Sequence, residues 1–161
     1  MNTYIKTFTS LPVDFLILGV IFAVILFIAL KQGRSYLAAA IVTLYISSFF
    51  YIALPFTKVL TNTLKGSSNV FWIHIGIFLI FYVPVYFAIS QIIMTDFGYG
   101  AMRYIRASLL TIAFIGLLLS IFYHFIPIES VYNFSPIIDS IFSSDMALNF
   151  WLLIPLVVLF F

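Results

Sequence analysis

One carboxylate and two imidazoles stand out in a chain with few ionisable groups: Asp14, His74 and His124. Each lies in or beside an apolar run. An acid and two imidazoles at one depth could relay a proton, and brought together they could hold a divalent metal. No two of them share the three- or four-residue spacing that places side chains on one helix face, so only the fold could assemble them. The remaining inventory is thin. There is no cysteine, which removes thiolate nucleophiles, disulfides and thiolate-ligated metals. HExxH, GxSxG and paired acids at helical spacing are absent. Gly98-Tyr99-Gly100 lacks the strand, the further glycine and the lysine of a phosphate loop. Asn133-Phe134-Ser135 matches a glycosylation sequon, but Pro136 follows it. No catalytic, cofactor or metal residue is assigned.

The elements that must position these side chains follow from composition. The 161 residues are 65% hydrophobic, 20% aromatic and 7% charged, against about 25% charged in an average soluble domain. No water-facing surface can be built from the remainder, so the chain is expected to be an all-α, polytopic integral membrane protein in a lipid bilayer. A formal charge of +2 with scattered basic residues gives no footprint for nucleic acid.

A helix needs about 20 apolar residues to cross the hydrocarbon core. Five runs approach or meet that length: 13–30, 36–54, 70–93, 107–126 and 146–161. Pro55 and Pro127 follow two of them closely, where proline commonly stops a helix. Segment 56–69 is polar enough to lie outside the core, and 95–106, with two glycines and two arginines, suits a turn at headgroup level. Ser135-Pro136 reads as a helix start, the hydroxyl capping free amides and proline occupying the first position. A short interfacial or re-entrant helix is expected over 136–142, with Ile137, Ile138, Ile141 and Phe142 on one face and Asp139 and Ser140 largely opposite. Asp145 can cap the last span. A cleaved signal peptide competes for the N-terminus, with Lys6 as its basic region and Ala38-Ala39-Ala40 as a cleavage site. Lys31 and Arg34 between core and cut argue against it, so the first span is kept in the mature protein and the whole chain is one membrane domain.

Within that frame Asp14 has a simple reading. An acid in the first turn of a helix meets unpaired amides, worth roughly 0.3–1 kcal/mol, at a depth where ionisation costs little. Five spans also put Asp14, His74 and His124 at the same face. Ser35, Ala39, Thr43 and Ser47 recur every fourth residue, as do Gly19 and Ala23, and Ser108, Gly116 and Ser120 extend the pattern to the fourth span. Small residues at that spacing let helices approach closely in lipid, either within one chain or between copies in a homo-oligomer. Gln91 and Asp96 beside Arg103 and Arg106 suit a solvated polar rim. Lys31, Arg34, Arg103 and Arg106 lie tight against span ends, against Lys6, Lys58 and Lys65 on the other side. The positive-inside rule then gives cytoplasmic basic turns, an outside N-terminus and an inside C-terminus.

The first 45 residues, with Asp14 opening a span, the turn Lys31, Gly33 and Arg34, and the small-residue stretch Ser35–Ser47, resemble the colicin V production protein (CvpA) family. Residues 97–120 are similar in carrying glycines and arginines ahead of a glycine-bearing span. The turn lacks the more glycine-rich, doubly basic form associated with the family, and the phenylalanine-rich third span and the terminal NFWLLIPLVVLFF diverge. The resemblance implies a small bacterial inner-membrane protein, a non-enzymatic envelope or secretion-related factor with other envelope proteins as expected partners, and it carries over no catalytic residue. The competing expectation is a channel or transporter subunit whose pathway is lined by Asp14, His74 and His124.

Overall fold

In the computed structural model the described residues are 13–55, 70–93, 102–126 and 134–160. They form six helices: α1 (Val13–Gln32), α2 (Arg34–Ala53), α3 (Val70–Ile92), α4 (Met102–Phe125), α5 (Pro136–Phe142) and α6 (Asp145–Phe160). The architecture is all-α. The first four helices are long and apolar enough to cross a membrane, and α5 with α6, bent by 69°, makes a fifth candidate.

Contacts at the two ends of the bundle order the helices. Arg103, at the start of α4, reaches the Leu30 carbonyl at the end of α1. Arg34, opening α2, donates to the Leu159 carbonyl at the end of α6 at 2.5 Å. At the opposite end the Tyr51 hydroxyl of α2 donates to the Phe125 carbonyl of α4 (3.3 Å) and is hydrogen-bonded to His74 of α3. His124 of α4 lies 3.9 Å from Asp145 at the start of α6. The helices therefore alternate in direction. With 16 residues α6 is about 24 Å long, short of the roughly 30 Å core, yet it reaches from the His124 end to within the span of the Arg34 side chain.

Burial sorts the helices into inner and outer. The membrane-length windows of α2 and α4 are 56% and 44% buried inside the protein, against 11% for α1 and for α3. Leu37, Ile41, Leu44, Leu110, Leu117 and Ile121 form the centre of the core. The outward sides of α1 and α3 are apolar, with Val20, Val24, Phe27, Ile80 and Phe87 exposed. Exposed apolar side chains along whole helices are what a hydrocarbon solvent demands.

Local structure follows from residue type at several junctions. The α1–α2 connection is Gly33 alone, at φ 88°, with its amide bonded to the Ala29 carbonyl at 2.8 Å. Glycine takes that left-handed φ without Cβ strain. Pro155 is buried within α6 and removes the amide that would bond the Trp151 carbonyl. One residue on, the Leu152 carbonyl accepts from the Tyr45 hydroxyl of α2 at 2.5 Å. A neighbouring helix thus places a hydroxyl on the backbone next to the carbonyl that the proline leaves without its helical donor. Pro136 stands at the start of α5 as expected, but the Ser135 hydroxyl makes no cap bond. The α6 N-terminus is capped by Ser144, whose hydroxyl accepts from the Ala147 amide (3.1 Å), not by Asp145.

Two boundary expectations are corrected. Arg103 and Arg106 belong to α4 and not to a turn, since the helix opens at Met102. Ile137 and Ile141 of α5 face outwards, while Ile138 and Phe142 face the bundle, so its apolar surface is shared between protein and surroundings. Lys6, Lys58, Lys65, Asp96, Gly98 and Asn133 lie outside the described residues.

Candidate functional site

The polar side chains of interest gather at one end of the bundle, around the last turn of α4. Tyr123, His124 and Phe125 follow each other there, and each meets a different element. The Tyr123 hydroxyl donates to Asp139 of α5 at 2.6 Å. The ring of His124 approaches Asp145 of α6, and the Phe125 carbonyl accepts from Tyr51 of α2. A helix turns its side chains by about 100° per residue, so three consecutive residues at its end can address three neighbours.

Asp14, on α1, is 5% exposed, which departs from a first-turn acid standing at the membrane surface. Its carboxylate accepts from the Ser135 backbone amide at 2.6 Å. The acid thus does by tertiary contact what the silent Ser135 hydroxyl does not: it bonds the backbone where the chain enters α5. A charged acceptor on a backbone amide is among the stronger hydrogen bonds, and the favourable field of the α1 N-terminus adds to it. The partners are 121 residues apart, a distance no local motif reveals.

The three candidates share an end of the bundle but divide among different partners. Asp14 binds the α5 entry, His74 joins Tyr51, and His124 bonds the Ser120 carbonyl through Nδ1 at 2.9 Å. Among the described residues no group of three or more His, Asp or Glu side chains could hold a metal ion.

The small-residue series divide as well. Ala39, Thr43 and Ser47 are fully buried and Ser35 is half-buried, so the α2 stripe faces the interior of this chain. The Thr43 hydroxyl returns to the Ala39 carbonyl at 2.7 Å, which hides its polarity. Gly116 and Ser120 of α4 are buried too. A Cβ on Gly116 would stand 2.0 Å from the Trp151 ring, so this glycine is the seat of an indole. Trp151 stacks on Phe142 (5.2 Å between centroids) and Phe142 on Tyr123 (6.2 Å), tying α4, α5 and α6 together. Gly19 and Ala23 differ: both are exposed, and nothing lies within 4 Å of a Cβ on Gly19.

At the other end, the expectation of a solvated rim is corrected for Arg103. Arg34 and Arg103 are half-buried and cap the last carbonyls of α6 and α1. Lys31 lies over the Phe27 ring at 4.7 Å. The missed functional signal was available in principle: basic side chains favour helix C-termini, but sequence does not say which helix end will lie nearby.

Two apolar cavities, both largely open to the surroundings, lie between described helices. One, about 320 Å³, lies between α1, α4, α5 and α6 and is lined by Phe15, Gly19, Phe22, Ile112, Phe142 and Trp151 among others. The second, about 250 Å³, lies between α2, α3 and α4 beside Phe78, Tyr82 and Phe114. Neither is lined by Asp14, His74 or His124.

These features define an α-helical bundle of membrane-crossing character, stitched at both ends by polar contacts. No family model, curated protein or solved structure matches the chain.

Proposed function

We propose that the chain is a non-enzymatic envelope or secretion-related factor of the bacterial inner membrane, of colicin V production type, working through its helix surfaces. One observation carries this reading. The side chains with the most chemical potential, Asp14, His74 and His124, are hydrogen-bonded within the bundle and line neither apolar cavity. Their geometry supports holding helices together. The broad exposed apolar sides of α1 and α3 are the surfaces offered to lipid, to other envelope proteins or to a second copy. The end bearing Lys31, Arg34, Arg103 and Arg106 is assigned to the cytoplasm, with the N-terminus outside and the C-terminus inside.

The test is complementation in a bacterium lacking its own colicin V production protein, reading colicin V export and envelope integrity. Restoration by the wild type and by His74→Gln and His124→Gln is expected. No restoration by a correctly inserted wild type would sink the family reading.

A second reading, a channel or transporter subunit, is favoured by the gathering of Asp14, Asp139, Asp145, His74 and His124 at one end. It requires that a folded His74→Gln or His124→Gln variant lose activity, and that reconstituted protein carry solute or proton flux across liposomes.

A further inference from the structure

We propose that His124 and Asp145 form a proton-operated latch that fastens the start of α6 to the end of α4. Nδ1 of His124 lies 2.9 Å from the Ser120 carbonyl, and a carbonyl oxygen can only accept, so Nδ1 carries the proton. In the neutral ring, Nε2 is then a bare acceptor. That atom is buried and has no hydrogen-bond partner. It faces Asp145 Oδ1 at 3.9 Å, and a carboxylate is also only an acceptor. Two acceptors confront each other with no proton between them. Protonation at Nε2 converts this into a donor–acceptor pair of opposite charge, which draws the carboxylate inwards.

Among the described residues the other polar groups at this end are engaged elsewhere. From α1, Asp14 is bonded to the Ser135 amide; from α2 and α3, Tyr51 and His74 are bonded to each other; from α5, Asp139 accepts from Tyr123. Among the described acids Asp145 faces the imidazole, and its side chain is fully exposed, so it can move by the roughly 1 Å that closes the bond. It also stands next to Ser144, at the junction where α5 and α6 bend by 69°. Fastening Asp145 therefore fixes the α5–α6 corner. Protonation of the imidazole therefore closes the latch.

Hydrogen exchange of the full-length protein in lipid nanodiscs tests this at the Ala147 and Leu148 amides, both bonded to Ser144. Measurements at about pH 8 and about pH 5.5, corrected for the intrinsic pH dependence of exchange, bracket the histidine range. Protection should rise about two- to five-fold at the acid pH, the range of a partly exposed ion pair. The rise should vanish in Asp145→Ala, which removes the acceptor and alters only an exposed side chain, and persist in Asp139→Asn. A flat wild-type response, a rise retained in Asp145→Ala, or a rise lost only in Asp139→Asn overturns the proposal.

Discussion

The two ends of this bundle hold their helices by opposite chemistry. At one end are Lys31, Arg34, Arg103 and Arg106, all the lysines and arginines among the described residues. Arg34 and Arg103 each open a helix, where their own macrodipole disfavours them, and each instead caps the C-terminal carbonyls of a neighbour. At the other end are Asp14, Asp139 and Asp145, all the described acids, each in the first turn of its helix. There hydrogen bonds join acid to amide and acid to phenol, and the third acid faces an imidazole at 3.9 Å. The difference teaches that few charges suffice when each lies at a helix terminus. Peptide dipoles supply the complementary partial charges, and the apolar middle carries none of the burden.

The largest effect is expected where that logic is reversed. Arg103→Glu removes a charge-assisted bond worth roughly 1.5–3 kcal/mol and sets a carboxylate against the C-terminus of α1, adding up to about 1 kcal/mol of repulsion. Thermal unfolding in detergent measures it. An unchanged midpoint would show that the basic end does not hold α1.

Next in size is the uncharged middle, where Gly116 is held by shape alone. Gly116→Leu should cost roughly 1–3 kcal/mol by overpacking against Trp151 and should shift the indole fluorescence in a Trp72→Phe background. Wild-type emission and stability would place the indole elsewhere.

The acidic end gives a graded pair. Asp14→Leu strands the half-buried Ser135 amide and should lose roughly 1–3 kcal/mol. Asp14→Asn keeps an acceptor and loses only the electrostatic part, up to about 1 kcal/mol. Equal losses in the two variants would mean that charge, and not the hydrogen bond, is what Asp14 contributes. The smallest effect is expected at Gly19→Ala, whose new methyl group meets nothing, within about 0.5 kcal/mol of wild type.

How far sequence alone leads is visible in the same residues. Hydropathy locates all the long helices because a hydrocarbon solvent permits few alternatives, and Ser135-Pro136 marks the short one. It misassigns Arg103 and Arg106 to a turn, since charge and nearby glycines look like a loop when the bonding partner, Leu30, lies 73 residues away. The spacing of Gly19 and Ala23 equals that of Ala39 and Thr43, yet one pair is exposed and the other is buried. Periodicity reports that a face exists; which way it turns depends on the other helices. Nor does spacing link Gly116 to Trp151 or Asp14 to Ser135, both of which exist only after α6 and α5 have docked.

The most direct test of a fifth crossing in this charge-segregated bundle is the sidedness of its last helix. With no native cysteine, single cysteines can be introduced at Gln32, Ser144 and Phe160 without altering the background. An impermeant thiol reagent applied to right-side-out and inverted vesicles should label Gln32→Cys and Phe160→Cys from one side and Ser144→Cys from the other. Labelling of Ser144→Cys and Phe160→Cys from the same side would contradict the account, making α6 a re-entrant segment and leaving four crossings.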